Sequence, residues 1–164
     1  FGDNLLYANL LGKNGELKRV ERSYFKFAYD YSYIQETGET VLEAVFKLKK
    51  ADPSELKKQA SWALEYRKKT QPFGIASSGC FFRNIPDSEK ERLKLPTSSA
   101  GYLIDKSGLK GYAVGGYFVS PIHANFIINS KGGNQEDLKK LLGIIKAKVK
   151  EKFGVELNEE VIII

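Results

Sequence analysis

Few side chains in this 164-residue sequence can hold or move a proton near neutral pH. Cys80 is its one thiol and His123 its one imidazole, and an acidic pair, Glu159-Glu160, stands just before the last hydrophobic residues. A thiol with a reference pKa of about 8.5 is an acid within reach of neutral pH. Taken alone, a lone cysteine is more often an inert, buried small hydrophobe, and an acidic pair is more often a solvated turn. Each lies in a segment of unusual make-up: Ser77-Ser78-Gly79-Cys80-Phe81-Phe82-Arg83-Asn84, His123-Ala124-Asn125-Phe126-Ile127-Ile128-Asn129 and Phe153-Gly154-Val155-Glu156-Leu157-Asn158-Glu159-Glu160-Val161. A fourth segment, Ala100-Gly101-Tyr102-Leu103-Ile104-Asp105 with Gly108-Leu109-Lys110-Gly111, lies between them. Arg83 and Asn84 follow Cys80 by three and four residues, which offers a cation and an amide to a ligand. His123 and Asn125 at alternate positions of one strand would face the same side.

The elements that must hold these residues read as alternating strands and helices. Residues 5–11 and 16–22 are apolar runs joined by Gly12-Lys13-Asn14-Gly15, whose Asn-Gly pair suits a tight hairpin. Phe25, Phe27, Tyr29, Tyr31 and Tyr33 alternate like one face of a strand, and residues 40–49 form a third strand-like run. Asp52-Pro53-Ser54-Glu55 is a helix start, with Asp as N-cap and Pro at the first helical position. That helix is expected to reach about Lys69, with Leu56, Ala60, Ala63 and Leu64 as its apolar face and Trp62 and Tyr66 beside it. Residues 70–74 break it and open a small-residue loop up to Cys80. Residues 112–118, 125–129 and 161–164 read as strands. Residues 134–153 read as a helix capped by Asn134 and Asp137 and closed by Gly154, with its lysines on a solvated face. The fold class is α+β.

Composition bounds the function. One cysteine excludes an internal disulfide, and one cysteine with one histidine leaves too few soft ligands for zinc, so no metal site is expected and a reducing cytoplasm suits the chain. No apolar run is long enough to span a membrane, and no signal-peptide pattern opens the chain. The net charge of +6 is spread evenly, with 13 basic against 10 acidic residues in 1–69 and the same again in 70–164. That evenness argues against a dedicated nucleic-acid face and suits an anionic small ligand.

The order and spacing of the four segments resemble the C-terminal half of the UDP-N-acetylenolpyruvoylglucosamine reductases, also called UDP-N-acetylmuramate dehydrogenases. Those proteins carry a Gly-Ser-x-Phe-(Lys/Arg)-Asn-Pro segment, a Gly-x-(Leu/Ile)-Ile-(Asp/Glu) helix, a Leu-Lys-Gly turn, a His-Ala-Asn-Phe strand and a terminal Leu-Glu-Pro-Glu-Val. Phe1-Gly2 is similar to the end of their Gly-Ala-(Tyr/Phe)-Gly element, and residues 27–32 to their Phe-x-Tyr-Arg-x-Ser element. The resemblance implies that residues 1–50 are the tail of an FAD-binding α+β domain, 51–69 a connecting helix, and 70–164 a small α+β substrate-binding domain. The glycine-rich FAD loops would then precede Phe1 in a missing N-terminal half. Only residues 34–40 stand where some members carry a long tyrosine-bearing insertion, so the chain resembles the shorter, loop-lacking subclass.

The implied chemistry is reduction of UDP-N-acetylenolpyruvoylglucosamine to UDP-N-acetylmuramate, a peptidoglycan precursor, with FAD and NADPH as cofactors. Cys80 stands where many members have the serine that supplies the proton, and Glu160 matches the glutamate that helps stabilise the enol-like intermediate. Substrate contacts are expected from Tyr29, Lys50, Arg83, Asn84, His123 and Asn125, and cofactor contacts from Gly2 and Gly79. Two departures stand out. Glu159 replaces the proline before the catalytic glutamate. Asp30 replaces the arginine of the Tyr-Arg pair, which would repel a carboxylate, so Arg22, Lys26 or Arg83 must take over its role or the alignment slips locally. Two other readings remain open: a non-catalytic nucleotide-sugar binding module, and a basic interaction domain meeting an acidic partner through the lysines of the last helix.

Overall fold

The computed structural model describes residues 2–163 and is mixed helix and sheet, with two compact units, Phe1–Leu56 and Lys57–Ile164. In the first unit β1 (Leu5–Leu11) pairs antiparallel with β2 (Leu17–Glu21) and with β3 (Thr40–Phe46), giving the order β2-β1-β3. Gly15 takes the left-handed backbone (φ +82) that the β1–β2 hairpin needs, and Asn14 Oδ1 accepts the Glu16 N–H at 3.1 Å. Leu5, Ala8, Leu10 and Phe25 form a small core.

The aromatic alternation does not build a strand. Residues 22–25 form a short 3-10 helix, ended by Lys26 at φ 45, and Asp30 sits at φ 48 in a turn closed by mutual bonds between Ala28 and Tyr31 of 3.1 and 3.3 Å. Two left-handed residues so close together break any pleat. A four-residue helix, α1 (Ile34–Thr37), follows.

Helix α2 (Pro53–Thr70) starts as its sequence dictates: Asp52 Oδ1 accepts the Glu55 N–H at 3.0 Å, and Ser54 also bonds that oxygen. Its expected apolar face is not covered. No residue of α2 is buried, and Leu56, Trp62, Leu64 and Tyr66 are all exposed.

The second unit holds the larger core. Helix α3 (Asp87–Arg92), polar throughout, was not expected from apolar periodicity; α4 (Ala100–Lys106) and α5 (Gln135–Phe153) bury Leu103, Ile104, Leu141, Leu142, Ile145 and Val149 together with Phe82, Leu109 and Val119. The strand expected over 112–118 is a hairpin, β4 (Ala113–Val114) and β5 (Tyr117–Val119), turned by Gly115-Gly116. A Cβ on Gly116 would lie 2.2 Å from the Gly133 backbone nitrogen, so only glycine permits that approach. Strand β6 (Ile127–Asn129) completes the order β4-β5-β6. The last residues do not form the expected strand: 161–163 have no strand pairing, and Ile164 lies outside the described residues.

Helix α5 carries a complete capping box. The Asp137 N–H donates to Asn134 Oδ1 at 2.9 Å and the Asn134 N–H returns to Asp137 Oδ2 at 3.4 Å, while Gly154 at φ 67 ends the helix. Asn134→Ala leaves a helix-end donor without its side-chain acceptor and is expected to cost about 1 kcal/mol in a denaturant titration.

Candidate active site

Three segments lie edge to edge around Cys80. Cys80 forms an antiparallel bridge with Phe126, and the Phe81 N–H donates to the Asn125 carbonyl at 2.9 Å. On the other side Phe82 bridges Glu159: Arg83 N–H donates to the Asn158 carbonyl at 2.9 Å and Glu160 N–H to the Phe81 carbonyl at 2.8 Å. Asn125 locks the arrangement from within. Its Oδ1 accepts the Phe82 N–H at 2.9 Å and its Nδ2 donates to the Phe82 carbonyl at 2.7 Å. This lacing brings Cys80 and Glu160 onto one open cleft of about 590 Å³, lined also by Arg67, Gln71, Ser78, Gly79, Phe126, Val161 and Ile162.

The electrostatics keep Cys80 protonated at neutral pH. Burial pushes its thiol above the usual range and the negative charge of Glu160 adds to the effect, while a hydrogen bond with Asn125 opposes it. His123 is held below the ordinary imidazole value, first by burial and then by the positive charge of Lys110. Its Nδ1 accepts the Asn125 N–H at 3.3 Å, so the neutral ring carries its proton on Nε2. The ring meets Phe126 edge-on at 5.0 Å.

The expectation that His123 and Asn125 share one strand face is corrected, because residues 121–125 form a bend and turn, Phe126 is the bridge to Cys80, and β6 begins only at Ile127. Asn125 is buried, and its amide bonds the Phe82 backbone as well as the Cys80 thiol. Asn84 is exposed, and its Oδ1 accepts the Ala100 N–H at the start of α4 at 3.2 Å. Arg83 is exposed, as are Tyr29 and Lys50 in the first unit. In that unit Arg22 bonds the Gly2 carbonyl and Asp3, at 3.0 and 2.7 Å, and Lys26 lies over the Tyr33 ring. A Cβ on Gly2 would meet the Phe27 ring at 2.8 Å, so this glycine makes room for Phe27; Phe1 lies outside the described residues. Among the described residues no cluster of three potential metal ligands occurs, and no helix is long and apolar enough to cross a membrane.

The model of the family described as "UDP-N-acetylenolpyruvoylglucosamine reductase, C-terminal domain" matches residues 71–164, which contain Cys80, Glu160 and every residue lining the cleft except Arg67. The chain belongs to the UDP-N-acetylenolpyruvoylglucosamine reductase family. It is 38% identical to the reductase of Bacillus pumilus over 162 residues, covering 98% of this chain and 50% of that protein. It is 34% identical to the Bacillus subtilis reductase, again over 98% of this chain and 50% of the relative. The crystal structure of the UDP-N-acetylenolpyruvylglucosamine reductase from Thermus caldophilus superposes with a TM-score of 0.76 at 30% identity, covering 98% of this chain and 53% of that one. The chain thus spans about half the length of the curated reductases it matches.

Sequence reasoning missed two polar residues that line the cleft of this reductase-family chain from outside the four segments, Arg67 and Gln71. They are four apart at the end of α2, joined by a 3.4 Å bond from Arg67 Nε to Gln71 Oε1. Their signal was the polar i, i+4 pair on the last helical turn before Pro72, next to the small-residue loop.

Proposed function

We propose that this chain is the substrate-binding portion of an FAD- and NADPH-dependent reductase that converts UDP-N-acetylenolpyruvoylglucosamine to UDP-N-acetylmuramate for peptidoglycan synthesis. One observation carries the reading: a protonated thiol and a carboxylate, Cys80 and Glu160, are brought from distant parts of the sequence onto one cleft. Gly79 fits a flat ring system at that cleft. It has φ +85, and no heavy atom lies within 4 Å of where its Cβ would stand, so its backbone face is open to close approach. With Gly79 against the ring, FAD would supply a hydride derived from NADPH to one carbon of the enolpyruvyl double bond.

The chain's own residues then handle the proton. Negative charge develops at the other alkene carbon, next to the substrate carboxylate; Cys80 gives its Sγ proton to that carbon and is reprotonated from solvent. Glu160 adjoins the developing enol and raises the proton affinity of the thiol, which keeps the acid loaded at neutral pH. Arg67 brings a cation to the same cleft, where an anionic substrate needs one. Arg83 and His123 offer donors for the UDP-sugar, and Asn84 and Asn125 act by holding the segments that present these groups.

The test is NADPH oxidation by the complete enzyme, reconstituted with FAD, with and without UDP-N-acetylenolpyruvoylglucosamine. Substrate-dependent oxidation with formation of UDP-N-acetylmuramate is expected. UDP-sugar binding without any oxidation would instead make the chain a nucleotide-sugar binding module.

A further inference from the structure

Helix α5 carries six lysines, Lys139, Lys140, Lys146, Lys148, Lys150 and Lys152, and five are exposed as a solvated face should be; Lys146 alone is half-buried. Its Nζ donates to both carboxylate oxygens of Glu159, at 2.9 and 3.1 Å. Burial would raise the Glu159 carboxyl, but the bond from Lys146 and its charge outweigh this and hold Glu159 below the usual carboxylate range. Glu159 is therefore a carboxylate at neutral pH.

The place of this contact gives it a consequence. The segment carrying Glu160 is neither helix nor named strand, and it is held to the rest of the unit by the Phe82–Glu159 bridge, with Leu157 buried below. Next to that bridge successive side chains leave the backbone on opposite sides. Glu159 turns to α5 and Glu160 turns to the cleft that Cys80 lines. Fixing the first therefore fixes the second. We propose that the Lys146–Glu159 ion pair is a clamp that holds the Glu160 carboxylate on the cleft beside Cys80. Lys146 and Glu159 are positioning residues, neither of which lines the cleft. The clamp's catalytic value rests on the reductase reading, but its geometry does not.

An ion pair can be replaced by a stiffer backbone. The two bonds that make the bridge are donated by Arg83 and Glu160, so the Glu159 N–H is not needed for it, and proline at 159 would restrict the chain without breaking the pairing.

The first readout needs no substrate. Cys80 is the chain's single cysteine, so its iodoacetamide alkylation rate against pH titrates one thiol. Because the Glu160 charge raises that thiol, Lys146→Met is expected to move the midpoint to lower pH, toward the Glu160→Gln profile. The charge-exchanged double variant, Lys146→Glu with Glu159→Lys, and the single variant Glu159→Pro should return it toward wild type, and Lys146→Met added to Glu159→Pro should have no further effect. In the complete enzyme Lys146→Met should lower kcat about tenfold with KM little changed, the scale of effect expected from a misplaced group, while circular dichroism shows the fold retained. A wild-type midpoint and wild-type kcat in folded Lys146→Met overturn the clamp. If the wild-type enzyme itself shows no turnover, the reductase reading fails and the alkylation profiles alone decide the clamp.

Discussion

Cys80→Ala in the complete enzyme is expected to slow formation of UDP-N-acetylmuramate by about 10²- to 10⁴-fold, the usual contribution of a positioned general acid, and to leave flavin reduction by NADPH unchanged. The methyl group keeps the volume of a small side chain but has no proton to give. Cys80→Ser keeps a proton at the same atom position and should retain part of the turnover, although a hydroxyl is a far weaker acid than a thiol. The pH profile fixes the assignment more tightly than either rate. A thiol acts as donor only while protonated, so kcat should fall as pH rises through its pKa, which burial and then the Glu160 charge place above the ordinary value. Glu160→Gln removes that charge, and the alkaline limb should therefore move to lower pH. Unchanged turnover in Cys80→Ala would remove the thiol from the mechanism and return it to the inert, half-buried cysteine it otherwise resembles.

How far the sequence predicted this arrangement depended on the range of the forces involved. Features written within four or five residues were legible: the Asn14-Gly15 hairpin, the Asp52 cap of α2 and the Asn134/Asp137 capping box of α5 all occur where their side chains demand. The aromatic alternation from Phe25 to Tyr33 misled because period-two hydrophobicity says nothing about φ, and Lys26 and Asp30 turn left-handed within it. Periodicity likewise could not show that α2 would leave Trp62 and Tyr66 exposed, stacked on each other at 5.5 Å. The resemblance named Cys80 and Glu160 as partners in one site, but the local sequence held no account of their meeting. It depends on pairing between residues 80–83, 123–126 and 158–160, and local propensity carries no record of such distant partners. Asn125 illustrates the difference best. Its neighbours suggested a ligand-facing amide, whereas its partner, Phe82, lies 43 residues away and takes both of its polar atoms.

Asn125→Ala is accordingly expected to destabilise the second unit by about 2–4 kcal/mol in chemical denaturation, because a buried backbone donor or acceptor left unpaired costs about 1–3 kcal/mol each. Phe82 is wholly buried, and Asn125 supplies an acceptor for its N–H and a donor for its carbonyl. Asn125→Asp sharpens the argument, since the shape is kept and only the second atom changes. Its Oδ1 can still accept from the Phe82 N–H, but the Nδ2 donor becomes an oxygen facing the Phe82 carbonyl. Protonated, the carboxyl can donate there and imitate the amide; ionised, it is a buried charge beside a carbonyl. The folded-state pKa of this aspartate is therefore raised, so the variant should approach wild-type stability at pH values below the unfolded value of about 3.9 and lose it as pH rises through the folded pKa. The wild-type chain, with an amide at this position, lacks that contribution. Melting curves of both proteins across the acid range, taken relative to each other, isolate it. No difference between the two at any pH would mean that the Asn125 Nδ2–Phe82 bond contributes nothing to holding the Cys80 segment in place.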